Sequence, residues 1–250
     1  MSSSDTVRLN KFLASCGVGS RRQCDKLIRE GRVEINGSPV SELATRVGPD
    51  DHVRLDGKRM QARRQRVIAM HKPRGLVCSR DDELGRDTIY KLLAESMHDL
   101  HHVGRLDRDS EGLLILTNDG NLSQTLLHPS REIEKEYLVT INQAIEKAHL
   151  AQLTEGIYTE EGKLIAKEVE RLSARRLKMV LKQGAKRQIR VMLKALGYQV
   201  QRLLRVRIGE LWLGELECGQ WADLTEEEIG MLLRKAHAPV SKRPGKKRPR

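Results

Sequence analysis

The sequence predicts an α+β protein, a small αα-β module ahead of a larger body in which strands and helices are mixed. Two helical patterns at the start run directly into alternating segments that end in Asn36-Gly37 and Asp56-Gly57, the strongest short hairpin signals. Leu113-Leu114-Ile115-Leu116 is a short apolar run closed by Asn118-Asp119-Gly120, which reads as a strand buried on both faces. Beyond it, alternating segments are interleaved with helix signals, so neither an all-α nor an all-β chain fits.

In the first module Leu9, Phe12 and Leu13 fall at i, i+3, i+4, one face of a short helix that stops near Gly17. Ser20 then caps a second helix, with Cys24, Leu27 and Ile28 facing inward and Gly31 at its end. Arg22, Lys26 and Arg29 lie at i, i+4, i+7 on another face with Arg21 beside them. No acid falls within that stripe, which points to phosphate contact rather than a merely solvated face. Val33 and Ile35, then Val53 and Leu55, alternate as strands. The module spans 7–57. Residues 58–66 hold five basic residues and little that would pack, and read as a linker.

The body, 67–238, opens with a strand at Val67-Ile68-Ala69-Met70, ended by the turn Lys72-Pro73-Arg74-Gly75. Gly104-Arg105-Leu106-Asp107-Arg108-Asp109-Ser110-Glu111-Gly112 places a cluster of carboxylates at the mouth of the buried strand. A rigid element at that point is a good mount for a catalytic group. Asp119 caps a helix carrying Leu122, Leu126 and Leu127, closed by Pro129. Glu136–Ile141 alternates as a strand, and Met179 with Leu181 suggests another. A helix carrying Val191, Leu193 and Leu196 leads to Gly197. Leu204, Val206 and Ile208 alternate with Arg205 and Arg207, predicting a strand with one basic face, and Thr225 with Glu228 forms a capping box. Residues 239–250 are rich in Pro, Gly, Lys and Arg and are expected to be disordered.

Charge is uneven. The 250-residue chain carries a formal +12, but residues 1–66 hold 14 Lys and Arg against 8 Asp and Glu. The last ten residues add six bases and no acid, and residues 67–240 are balanced. A neutral body between basic ends points to a polyanion held by appendages. With no apolar run near 18 residues, no signal peptide and no strongly amphipathic basic helix, nucleic acid is favoured over a membrane. Cys16, Cys24, Cys78 and Cys218 form no Cys-x-x-Cys pair, and His98, His101 and His102 have no cysteine motif beside them. Metal is therefore not expected, and a reduced, cytoplasmic protein is. One Phe, two Trp and four Tyr are too few for a single-strand binder built on stacking platforms.

Arg8-Leu9-Asn10-Lys11-Phe12-Leu13, Ser20-Arg21-Arg22 and Gly31-Arg32-Val33-Glu34-Ile35-Asn36-Gly37 together resemble the alpha-L (S4-type) RNA-binding domain over roughly 7–55. In the body, the Gly-Arg-Leu-Asp run, Lys135-Glu136-Tyr137-Leu138-Val139 and Arg187-Gln188-Ile189-Arg190 resemble in order the motifs of RNA pseudouridine synthases. The RsuA-type group acting on ribosomal RNA is the best match, and Lys72–Gly75 and Arg207-Ile208-Gly209 with Trp221 and Leu224 extend the likeness. The resemblance implies a mixed, largely antiparallel sheet with a central cleft and flanking helices. It makes Asp107 the catalytic carboxylate, Tyr137 the active-site tyrosine and Arg190 the arginine of the third motif, an arginine able to orient Asp107 bidentately. Arg105 is expected at the substrate backbone or bracing the turn, and no role carries over to Arg187. Uridine isomerisation involves no net redox and no cosubstrate, so neither cofactor nor metal is implied.

The expected partner is ribosomal RNA, free or in an assembling subunit, with no membrane and no small-molecule cosubstrate, and the protein is expected to be a monomer. Lys72–Gly75 followed by Asp81-Asp82 and Gly85-Arg86-Asp87-Thr88 looks like the large-subunit branch. A non-catalytic RNA-binding factor is opposed by the intact Asp107, Tyr137 and Arg190. A glycosidase using paired carboxylates is opposed by Asp107 and Asp109, which in an extended segment would point to opposite faces. On local sequence alone, Asp109 and Glu111 rival Asp107.

Overall fold

The computed structural model describes residues 6–234 apart from 81, 161 and 183. The tail expected over 239–250 lies outside the described residues, as do Asp81 and Gln183. The chain divides into two compact units between Arg66 and Val67.

The first unit begins with a two-residue strand β1 (Val7–Arg8), α1 (Leu9–Ser15) and α2 (Arg21–Arg29). Leu9, Leu13, Cys24 and Ile28 are fully buried and pack on Val33, Val47 and Val53. Leu27 is only half-buried. Ser20 and Gln23 form a reciprocal capping box at the start of α2, satisfying two otherwise orphan amides. Strands β2 (Val33–Ile35), β3 (Ser38–Val40), β4 (Arg46–Val47), β5 (Val53–Leu55) and β6 (Lys58–Arg59) follow. β4 pairs with β1, and the other four form a sheet in the order β3-β2-β5-β6. Asn36-Gly37 and Asp56-Gly57 both turn with positive φ at their two central residues, as two-residue hairpins require. Residues 58–60 were expected in a linker. Instead β6 pairs with β5 and Met60 packs on the core, because Arg54 and Leu55 leave a free edge that Lys58 and Arg59 extend.

The second unit contains β7 (Val67–Lys72), β8 (His101–Val103), β9 (Glu111–Thr117), α3 (Gly120–Leu127), β10 (Lys135–Ile141), α4 (Lys147–Glu155), β11 (Ile157–Thr159) and β12 (Gly162–Leu164). It continues with β13 (Glu168–Ser173), β14 (Arg176–Leu181), α5 (Gln188–Ala195), β15 (Val200–Ile208), β16 (Leu211–Trp212), β17 (Trp221–Asp223) and α6 (Glu226–Leu233). The large sheet runs β13-β14-β10-β15-β9-β7-β17, with β8 on β9 and β16 on β15. Every pairing is antiparallel except β15 with β9. All seven residues of β9 are buried, as its apolar run implies.

One face of the sheet carries two apolar clusters. The first joins Val139, Leu177, Met179 and Leu203 to α4 and α5. The second joins Met70, Leu114 and Leu116 to turns around Tyr90 and Met97. The opposite face packs on α3 and α6 through Leu122, Leu126 and Leu232. Leu127, assigned to the core face of α3, is exposed instead. In α5 Gln188, Ile189, Met192 and Leu193 are buried, and Val191 and Leu196 are half-buried against the same cluster. No helix among the described residues is long and apolar enough to cross a membrane.

The clearest departure from expectation is β15. Arg205 and Arg207, expected on an open basic face, are about 5% exposed, while Leu204 and Val206 are half-buried. Glu136 and Glu134 lie 3.0 and 3.5 Å from the Arg207 guanidinium, and Arg205 donates from Nε to the Leu113 carbonyl at 2.7 Å. Carboxylates meet the Arg207 donors, which makes its burial tolerable, whereas Arg205 keeps a buried Nη2 with no partner. The partners of the two arginines come from β10, from Glu134 just before it and from β9, all remote in sequence.

Candidate active site

The segment between β8 and β9 folds back instead of running extended. The Ser110 amide donates to the Asp107 carbonyl at 3.0 Å, closing a tight turn over 107–110. Lys72, fully buried at the end of β7, holds this turn from below. Its ammonium donates to the carbonyls of Pro73, Asp107 and Ser110 at 2.9, 3.2 and 2.9 Å. Burial pushes the Lys72 amine below its usual value, opposed by the nearby Asp107 and Asp109 charges. Gly75 and Arg108 exchange two further bonds, 2.7 Å from the Gly75 amide and 3.1 Å from the Arg108 guanidinium. The Lys-Pro-Arg-Gly turn is thus the cradle of the acidic loop.

The turn brings Asp107 and Asp109 to one side, correcting the expectation that they diverge. Both face the start of α5. Arg187 Nη1 lies 3.5 Å from Asp107 and 3.1 Å from Asp109, and its Nη2 donates to Asp109 at 3.2 Å. Arg190 Nη2 lies 3.1 Å from the Asp109 carboxylate and 3.0 Å from the Asp109 carbonyl, with Ser110 Oγ at 3.4 Å. Burial alone would raise the Asp109 carboxyl, but the Arg187 bonds and the two arginine charges outweigh it and hold it below the ordinary range. Arg190, expected to orient Asp107, instead binds Asp109 and the loop backbone, because its position one turn into α5 faces the far end of the 107–110 turn.

The cation nearest the Asp107 carboxylate is Arg187, to which the sequence assigned no role. Arg187 caps α5 with φ 54°, in the left-handed region, a conformation that costs a non-glycine residue on the order of 1 kcal/mol. That backbone strain marks the residue in the structure and has no counterpart in the sequence. A hollow of about 530 Å³ opens beside the pair, lined by Asp109, Arg187, Arg190, Lys194, Tyr198 and Val200.

Glu111, the third rival acid, is buried and taken by Arg202 at 2.5 Å. Asp107 keeps about 30% of its side chain exposed, with the Arg187 guanidinium at 3.5 Å. Tyr137 is half-buried and packs against both apolar clusters of its face, so it lies where the two lobes of that face meet. Arg105 is exposed and makes no ion pair among the described residues. Among those residues, His71, Glu111 and Cys218 bring metal-ligand atoms within 4.8 Å of one another, with Arg202 already on Glu111. His98 bonds backbone carbonyls of Tyr90 and Leu93.

In the first unit Arg21, Arg22, Lys26 and Arg29 are exposed on α2. The stripe is less bare than its spacing implied, since Glu30 approaches Lys26 at 3.8 Å one turn on. Arg21 also bonds Asn10 at 3.2 Å and lines a hollow of about 330 Å³ with Arg8, Lys11 and Arg46. Those three were missed because they come from separate elements with no shared spacing.

A family model described as RNA pseudouridylate synthase matches residues 66–195, the stretch that carries this loop, Tyr137 and the start of α5. The chain belongs to the RNA pseudouridylate synthase family. It is accordingly an enzyme that isomerises uridine in RNA. An S4 domain model matches residues 7–53 of this pseudouridylate synthase. An uncharacterized RNA pseudouridine synthase of Aquifex aeolicus is 38% identical over 240 residues, covering 91% of this chain and 94% of the relative. The ribosomal large subunit pseudouridine synthase B of Bacillus subtilis is 34% identical, covering 90% and 95%. A crystal structure of a pseudouridylate synthase superposes with a TM-score of 0.67 at 34% identity, over 90% of this chain and 99% of that one. The fold anticipated from the sequence motifs is therefore the family's fold.

Proposed function

We propose that this enzyme converts a specific uridine of large-subunit ribosomal RNA to pseudouridine, in the cytoplasm and as a monomer, with Asp107 as its catalytic carboxylate. One observation carries the assignment of the residue. Of the three acids in the loop, Asp109 is bound by both Arg187 and Arg190 at 3.1 Å and Glu111 by Arg202, which leaves Asp107, with a single guanidinium at 3.5 Å, the carboxylate least engaged by the protein among the described residues. The likeness to the large-subunit enzyme of Bacillus subtilis supports the choice of RNA. Residues 7–57 would anchor that RNA through Arg21, Arg22, Lys26 and Arg29, with Arg105 on the substrate backbone in the body.

Isomerisation breaks the bond from N1 to the ribose, turns the ring and rejoins it through C5. As the bond breaks, the ribose carbon becomes electron-poor and the uracil electron-rich. Asp107, fixed by the Lys72 clamp and adjoined by Arg187, is placed to trap or stabilise the ribose carbon. Tyr137 can stack on a base that has left its helix. Arg190 acts one step back, holding Asp109 and the turn so that the Asp107 backbone cannot drift.

A pseudouridine map of ribosomal RNA, read by carbodiimide modification and primer extension, tests the proposal. A strain lacking the gene and the same strain carrying Asp107→Asn should both lose one stop that the parent shows. A restored stop with Asp107→Asn rules out the carboxylate, and an unchanged map rules out ribosomal RNA. Loss of a small-subunit stop would move the target but not the residue.

A further inference from the structure

The face of the sheet that holds Tyr137 also carries three cations that make no ion pair among the described residues. Side chains alternate along β10, so Lys135 stands on the Tyr137 side. Tyr137 pairs in register with Arg205, Arg205 with Gly112, and Gly112 with Lys72. Lys72, Arg205 and Lys135 therefore lie along the strip between the two apolar clusters. Lys72 is met by three carbonyls, and Arg205 makes one bond, to the Leu113 carbonyl, while its buried Nη2 has no partner. The Lys135 side chain makes no hydrogen bond or ion pair among the described residues. The contrast with the opposite face is informative: there Arg207 meets Glu136 and Glu134, and Lys167 meets Glu134. Among the described residues no carboxylate makes an ion pair with Lys72, Arg205 or Lys135; Asp107 and Asp109, whose charges reach Lys72, are engaged by Arg187 and Arg190.

We propose that Lys135 is a further catalytic residue, whose ammonium hydrogen-bonds a uracil carbonyl oxygen and stabilises the ring while it is detached as an anion, with Arg205 behind it adding to the same positive field. The inference rests on the isomerase reading above. In the step concerned, the N1–C1′ bond breaks heterolytically and its electron pair leaves on the ring, spread over N1 and the carbonyl oxygens. C1′ is left electron-poor toward Asp107. Rejoining uses a ring electron pair to form C5–C1′; C5 then loses its proton and N1 gains one, so nothing is added or removed overall. A fixed cation is most effective where charge develops in a site that excludes water. An unpaired, half-buried ammonium is unfavourable before the reaction and is offset only when the anion forms beside it. Consistent with that placement, burial and the Arg205 charge push the Lys135 amine down to about 8.

The test uses the full-length protein and a ribosomal RNA fragment carrying tritium at C5 of uridine, with single-turnover release of tritium as the readout. Lys135→Met should lower the maximal rate about a hundredfold while RNA affinity stays within a few-fold, and Lys135→Arg should recover part of it. The wild-type rate should fall above about pH 8, and in Arg205→Lys or Arg205→Gln that fall should move, to higher pH where the neighbouring charge is lost. Full turnover by Lys135→Met with an unaltered pH profile, beside an inactive Asp107→Asn, overturns this inference and leaves the isomerase reading intact. Loss of affinity with an unchanged maximal rate also overturns it, by making Lys135 an RNA contact only. An active Asp107→Asn overturns both.

Discussion

Lys135 ties catalysis to stability at a single residue. Its amine is lower in the folded protein than in an unfolded chain, from 10.5 to about 8. The charged form is therefore disfavoured by folding. The penalty is present in full below about pH 8 and disappears as pH rises toward the unfolded value. Lys135→Met should thus raise the melting temperature at pH 7, by an amount equivalent to roughly 1–3 kcal/mol, while lowering turnover. Calorimetry at pH 7 and pH 10 checks this, because the gain should shrink at the higher pH. Asp109 has the opposite sign: its depressed carboxyl contributes stability above the ordinary carboxylate range and loses it as pH falls through the lowered value. Arg187 accepts a left-handed backbone at the start of α5 for the sake of where its guanidinium then points, a strain typical of working sites.

At the scale of elements, the acidic loop depends on how closely β9 approaches β15. Gly112 has φ +112°, and a Cβ built there would lie 2.2 Å from the Arg205 carbonyl oxygen. Backbone surrounds it on that side, so nothing can move aside cheaply. Gly112→Ala should cost more than about 2 kcal/mol and reduce turnover by shifting the loop that Lys72 clamps. Gly120, at the first position of α3, meets nothing within 4 Å and has no positive φ, so Gly120→Ala is the matched control and should be neutral or slightly stabilising. Thermal unfolding of both variants decides between them; equal melting temperatures would mean that the β9–β15 spacing is not what holds the loop. Lys72 serves the same loop from the other side, joining β7 to the turn through three carbonyls, so the site is built by two strands and the start of a helix.

For the whole molecule, charge separates the two units. Residues 1–66 carry the basic excess while the body is balanced, so RNA affinity and catalysis should respond to different substitutions. Arg21→Glu with Arg46→Glu, at the hollow that Arg8 and Lys11 also line, should weaken RNA binding. The pair should also flatten its dependence on salt, by close to one unit of slope for each phosphate that is no longer neutralised. The rate at saturating RNA should be nearly unchanged. Titration of binding against salt for the double variant and for the parent checks this, and an unaltered slope would remove that hollow from the interface.

Much of this was legible in the sequence because the signals are local. Capping at Ser20, Asp119 and Thr225 depends on residues within one turn of a helix, and the Asn-Gly and Asp-Gly hairpins on two residues each. Leu113–Leu116 declared a buried strand by composition alone, and the ordered motifs around Asp107, Tyr137 and Arg190 declared the family. The hairpin of β11 and β12, with α4, β8, β16 and β17, had no such local signature and went unread. Tertiary structure alone decided which partner each charge would meet. Arg205 and Arg207 read as an open basic face because alternation says which side chains share a side, not which side is covered. Whether Arg190 or Arg187 would face Asp107 depended on a turn closed by Lys72 from thirty-five residues away. Periodicity and capping are set by near neighbours along the chain, whereas the field at a carboxylate is set by neighbours in space.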